Sequence, residues 1–252
     1  MRFILSIALV YVLSGNALAA PAGETKAMST VTKKSVELNE QGAHAVLAGQ
    51  YKAAEEAFKK ALTTDPGNLT AAFNLAGMFL MLKQESKAID LLQPYASKNP
   101  KDVGLNTRLG DAYFTAKKVK QALEAYEKAY AIDPAYPALA GKLSTVYSLS
   151  NRLPDAERIL LAAVEKFPKD GQLLSNLSSV FLATGKADKA ISTAKRGLQV
   201  NPSPELYITL GNAYEMQKDY KNSLIAFERA ADLGDKKPEL KTKIEQLKKQ
   251  VG

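Results

Sequence analysis

The stretch "VGLNTRLGDAYFTAKKVKQALEAYEKAYAIDPAY", Val103 to Tyr136, decides the fold. It holds two runs of helical periodicity. In the first, Leu105, Leu109, Ala112 and Tyr113 fall on one stripe. In the second, Val119, Ala122, Leu123, Tyr126, Ala129 and Tyr130 do so. Apolar residues recurring at steps of three and four mark an amphipathic helix, whereas a half-buried strand alternates at two. Lys117-Lys118 marks a turn between the runs. Pro134 stops the second, because proline cannot continue a helix and pushes its predecessor out of the α region. The stretch predicts a helix–turn–helix.

The pattern recurs along the chain. Pro66 closes "KKALTTDPGN" (Lys59–Asn68), and Pro66, Pro100, Pro134, Pro168 and Pro202 follow at a constant step of 34 residues. In phase with them runs a small-residue ladder: Gly42, Ala76, Gly110, Ser144 and Ser178. Three residues on stand Ala45, Phe79, Tyr113, Tyr147 and Phe181. A second small ladder is Ala54, Ala88, Ala122, Ala156 and Ala190; a third is Ala61, Tyr95, Ala129, Ala163 and Gly197, with Tyr95 the exception. Small residues on facing helices let two backbones approach at the short end of the ~8–10 Å packing range. The aromatic ladder fills the space beside that contact. A sixth set (Leu210-Gly211, Tyr214, Ser223, Phe227, Ala230) slips by one residue, and "NPSPE", Asn201 to Glu205, is where the residue is expected to be lost.

In period and in the places of its small, aromatic and proline residues, the chain resembles the tetratricopeptide repeat (TPR) family. The third repeat matches best, through Leu109-Gly110, Tyr113, Ala122, Tyr126, Ala129 and Pro134. The resemblance implies an all-α, right-handed superhelical solenoid of six repeats: 35–68, 69–102, 103–136, 137–170, 171–203 and 204–234. Tryptophan, which the family often carries near each repeat's start, is absent. Pro94 lies inside the second helix of repeat two. A proline in a helix interior costs ~3 kcal/mol, so that helix is expected to kink or end early. Residues 235–252 read as a capping helix, with Pro238 in its first turn and Leu240, Ile244, Leu247 and Val251 on one stripe.

The chain opens with "MRFILSIALVYVLSGNALAA". Arg2, an apolar run from Phe3 to Leu13 and the small–x–small Ala17-Leu18-Ala19 read as a secretory signal peptide over 1–19. Residues 20–34 read as a flexible tether. The expected location is periplasmic or secreted, with no stable membrane insertion after cleavage. The chain has no cysteine, so a lipid anchor on one is excluded, as are disulfides and thiolate chemistry. In size, six repeats and export signal it is similar to the pilotins of type IV pili, which do carry a lipid-anchoring cysteine.

A lone histidine, His44, builds no multi-histidine metal site. The chain shows no GxSxG, GxxxxGK[ST] or HExxH pattern. No catalytic residue, cofactor or metal is expected. The formal net charge is +8, but the lysines alternate with glutamates along the helices and read as solvated faces, so no nucleic-acid partner is expected.

What remains is a surface. The resemblance implies a concave wall built by the first helix of each repeat, gripping a protein or peptide. Its ladder is Glu40, Asn74, Arg108, Lys142, Asn176 and Thr209, with Phe73, Gly77, Leu80, Met81, Asp111 and Phe114 beside it. Asn39 and Asn212 complete the candidate groove. Asparagines can hydrogen-bond a peptide backbone, and Arg108 and Lys142 can meet carboxylates. The five-residue carboxylate clamp of some family members is incomplete, since Asn39, Asn74 and Arg108 match while Ala43 and Gly104 do not. The reading is an exported, non-enzymatic scaffold assembling a cell-envelope complex. A self-associating structural subunit and a binder of an anionic polymer such as an exopolysaccharide stand as alternatives.

Overall fold

The structure, a computed structural model, describes residues 30–136 and 138–251. The signal segment 1–19 and residues 20–29 of the tether lie outside the described residues. Among the described residues there are thirteen α-helices and no strand. They are α1 (Thr30–Leu47), α2 (Tyr51–Thr64), α3 (Leu69–Met81), α4 (Glu85–Lys98), α5 (Val103–Thr115), α6 (Val119–Ile132) and α7 (Leu139–Leu149). Then come α8 (Leu153–Lys166), α9 (Gly171–Ala183), α10 (Ala187–Val200), α11 (Pro204–Met216), α12 (Tyr220–Asp232) and α13 (Pro238–Val251). Two compact units divide them: α1–α5 up to Lys118, and α6–α13 from Val119.

Pro66, Pro100, Pro168 and Pro202 each do two things. They hold the preceding residue out of the helical region: Asp65, Asn99, Phe167 and Asn201 have φ of −143°, −124°, −126° and −152°, as the clash with the proline ring requires. They also stand just ahead of the next helix's cap. Asn68, Asp102 and Asp170 each sit two residues after a proline and accept from the N–H of Ala71, Leu105 and Leu173. Such caps satisfy an orphan donor of the first turn. In the sixth repeat the cap is Ser203, one residue after Pro202. The missing residue is therefore lost from this loop, which spans 201–203 where its counterpart spans 167–170.

The turn inside each hairpin is equally regular. First helices end at a residue in the left-handed region: Gly49, Lys83, Lys117, Asn151, Gly185 and Lys218, with φ between 56° and 76°. The next N–H closes a six-to-one bond onto the carbonyl of the aromatic ladder, as in Gln84 to Phe79, Lys118 to Tyr113, Arg152 to Tyr147 and Lys186 to Phe181. This is the Schellman motif, which satisfies the last carbonyls of a helix. One ladder thus fills the hairpin with its ring and ends the helix with its backbone.

The small ladders lie in the core. Ala76, Ser178, Ala54, Ala88, Ala122, Ala156 and Ala190 are fully or almost fully buried. At Gly42 a β-carbon would come within 2.6 Å of the Phe58 ring, so only glycine fits.

Three expectations change. Helix α1 begins at Thr30, inside the stretch read as tether. Its buried Ser35 fastens it, donating to the Ala61 carbonyl and accepting from Asn68 Nδ2, both at 2.8 Å. Helix α4 runs through Pro94 to Lys98 and does not end early. Pro94 and Asp90, whose carbonyl loses its partner, are both exposed, so water can take the unpaired acceptor. In α13, Leu240 and Leu247 are buried against Phe227 and Ala230, with Ile244 beside them, but Val251 is exposed.

Candidate partner-binding face

In the first compact unit the first helices α1, α3 and α5 lie in order, in contact with their neighbours. Asn74 on α3 donates through Nδ2 to Asn39 Oδ1 on α1 at 3.0 Å. Arg108 on α5 reaches back to α3. Its guanidinium carbon is 4.0 Å from the centroid of the Phe73 ring. It also covers Gly77, where a β-carbon would stand 3.5 Å from Cζ. Phe73 and Gly77 are four residues apart on one helix face, so ring and glycine form a notch that receives the guanidinium. Met81 continues that row by a further four residues. Asp111 follows Arg108 by one turn, and Phe114 follows Asp111 by three residues. Phe73, Asn74, Met81, Arg108, Asp111 and Phe114 are all half-buried.

This arrangement can hold an extended chain. The asparagine pair uses one donor and one acceptor on itself. It leaves Asn39 Nδ2 and Asn74 Oδ1 without a hydrogen bond among the described residues. An amide donor and an amide acceptor side by side match the C=O and N–H of a peptide. The Phe73 ring holds the Arg108 guanidinium by a cation–π contact, and a guanidinium can direct N–H donors at a carboxylate.

The second compact unit treats its candidates differently. Asn176 on α9 donates to the Gly141 carbonyl on α7 at 3.3 Å, and its Oδ1 accepts from Gln172 at 2.9 Å. It ties two first helices together instead of presenting its amide to a ligand. Thr209, read as a wall residue, is buried, with its hydroxyl 3.4 Å from that of Ser179. Lys142 is half-buried on α7. Asn212 on α11 lines a cleft of about 660 Å³ against α13, with Ile208, Lys243 and Gln246. The contacts thus join Asn39 to Asn74 and Phe73 to Arg108, while Asn176 and Asn212 belong to separate settings.

The sequence reading missed a set of ties between repeats. Tyr147 donates to Glu127 Oε1 at 2.9 Å; Arg152 reaches the same oxygen at 3.0 Å and Asp155 at 2.8 Å. The Arg152 guanidinium also lies 4.5 Å from the Tyr147 ring centroid. Burial, then the bond to Glu127, pushes the Tyr147 hydroxyl up to about 12. The hydrogen bond from Arg152 holds the Asp155 carboxyl below its ordinary range. Lys186 meets Glu157, and Lys243 meets Glu215 at 2.8 Å. Apart from Arg152 and Asp155, these partners stand 20 to 29 residues apart, so no helical i,i+4 pattern announces them.

Helix hairpins at a 34-residue step, closed by a Schellman turn and reopened by a capped helix after proline, define a TPR solenoid, the fold of a protein-interaction scaffold. Residues 7–247 match the family model of the cilia and flagella-associated protein 70 C-terminal domain, and the chain belongs to that family of TPR domains. It is 33% identical over 106 residues to small glutamine-rich tetratricopeptide repeat-containing protein 2 of Mycosarcoma maydis, covering 42% of this chain and 30% of that protein. The chain spans less than a third of the length of the curated relatives it matches. Among solved structures, PilF of Pseudomonas aeruginosa is similar with a TM-score of 0.73 at 11% identity, over 88% of this chain and all of that one. YrrB, described as a TPR protein with an unusual peptide-binding site, is similar with a TM-score of 0.65 at 19% identity, over 77% of this chain and all of that one. At those identities the likeness is one of fold. Among the described residues, no helix is long and apolar enough to cross a membrane.

Proposed function

We propose that the protein is an exported, non-catalytic TPR adaptor that binds an extended segment of a protein partner along α1, α3 and α5, in the assembly of a cell-envelope complex. The signal-like sequence of residues 1–19 supports export. The observation that carries the binding site is the pairing of Arg108, set over Phe73 and Gly77, with the Asn39–Asn74 amide pair one helix away. The amides would take the partner's backbone, and Arg108 an acidic side chain or a terminal carboxylate, while Met81 and Phe114 supply apolar contact. Lys142, Asn176 and Asn212 would play no part in this first anchor. The test is site-specific photo-crosslinking in the native envelope from Phe73 and Arg108, with exposed positions of α2 and α4 as controls. One partner crosslinked from both face positions, and lost on Arg108→Ala, supports the reading. Crosslinks arising only from the control positions would sink it.

A further inference from the structure

The positive charge is not spread evenly over the first compact unit. Short turns make successive helices antiparallel neighbours, so α1, α3 and α5 run the same way. Their C-terminal ends, with the turns 48–50, 82–84 and 116–118, lie together at one end. This turn end, with the helix turns flanking it, carries Lys52, Lys83, Lys87, Lys117 and Lys118 against a single acid, Glu85. The opposite end carries Lys33, Lys98 and Lys101 against Asp65 and Asp102. The alternation of lysine and glutamate along the helices hides this sorting, because it appears only once the turns are stacked.

Lys52, Lys83, Lys117 and Lys118 are all exposed and form no ion pair among the described residues. Two of them sit where the backbone discourages any side chain. Lys83 and Lys117 have φ of 56° and 59°, the left-handed region that a β-carbon makes unfavourable. Gly49 meets the same turn of the first hairpin at 72° without that strain. Beside Lys52, the large apolar side chains of Leu47 and Tyr51 are exposed, at 38% and 36%.

We infer that this turn end docks on a lipid bilayer carrying anionic headgroups. Neighbouring helices pack at ~8–10 Å, so three consecutive turns form a front on which long lysine side chains can all reach one plane of phosphates. Leu47 and the amphipathic Tyr51 suit the boundary between headgroups and acyl chains. An acidic polypeptide would share the charge, but the bilayer matches a row of turn tips interleaved with shallow apolar contacts. The surface is separate from the Arg108 face, so the protein could hold a partner and a membrane at once.

The test is flotation of the full chain with vesicles of phosphatidylcholine alone or with about a third phosphatidylglycerol. Each lysine near such a surface strengthens binding about fivefold. Lys83→Gly with Lys117→Gly should weaken binding to the anionic vesicles about 25-fold, while the thermal midpoint stays or rises because the backbone strain is relieved. Raising the salt should weaken wild-type binding, since the front is exposed. Lys98→Gln with Lys101→Gln, at the opposite end, should leave binding unchanged. Because every variant keeps residues 1–29, any vesicle affinity of that segment cancels. Equal weakening by both pairs, or none by the glycine pair, overturns the inference. So does soluble polyglutamate that binds in a lysine-dependent way while the vesicles do not, which would assign the front to an acidic polypeptide.

Discussion

Arg108 reaches back from α5 to α3 and lays its guanidinium 4.0 Å from the centre of the Phe73 ring, above Gly77. The contact joins consecutive repeats at a place where both side chains are half-buried. A partly desolvated cation–π pair is worth about 1–2 kcal/mol. A double-mutant cycle of Arg108→Ala and Phe73→Leu, followed by urea unfolding, should return a coupling of about that size. Under the proposed function, Arg108→Ala also loses partner binding, whereas Phe73→Leu loses less of it because the charge remains.

Ser35 joins three elements through one hydroxyl. It donates to the Ala61 carbonyl of α2 and accepts from Asn68, the residue that caps α3. Removing one buried partner leaves the others unsatisfied, at about 1–3 kcal/mol. Ser35→Ala is expected to destabilise the protein by about that amount. Hydrogen exchange should speed up first at the N-terminus of α3, where the cap loses its support.

Pro94 gives the opposite sign. It sits inside α4 on the solvent side, and the helix continues to Lys98. Its ring contributes no buried packing, while its missing N–H leaves the Asp90 carbonyl to water. Pro94→Ala restores a helical hydrogen bond and should stabilise the protein by about 1–3 kcal/mol. A lower midpoint in thermal unfolding would mean that Pro94 makes a contact more valuable than the bond.

The contrast between these positions shows what the amino-acid order makes legible. Pro66, the small ladder through Ala76 and the ring ladder through Phe79 announce the hairpins because each has a local cause repeated at a fixed step. The face with Asn74 and Arg108 follows from the same phase. The ties of Glu127 to Tyr147 and Arg152, or of Glu157 to Lys186, are hidden. They depend on which faces of successive helices meet, and their spacing of 20 to 29 residues matches no single-helix period. The fate of Asn176 was hidden for the same reason: the glycine at 141 lets its amide reach a backbone carbonyl that a bulkier residue would cover. The uninterrupted course of α4 through Pro94 depended on exposure, which a breaker residue alone does not reveal.

Tyr147 supplies a pH signature. Its side chain is buried and its hydroxyl bonded to Glu127, which raises that hydroxyl from an ordinary value of 10.0 to about 12. Between those two values the unfolded chain has released this proton while the folded chain keeps it. The folded state binds more protons there, so this contribution to stability is complete below pH 10 and is lost as pH rises toward 12. Tyr147→Phe removes that component, and its stability should fall less steeply over this window than that of the wild type. At neutral pH the same substitution deletes one hydrogen bond to a carboxylate, worth about 1.5–3 kcal/mol, with Arg152 still holding Glu127. Ultraviolet titration of the folded proteins gives an independent check. The wild type should show a late-ionising tyrosine that the variant lacks, and identical titration curves would show that the Tyr147–Glu127 bond does not hold the proton.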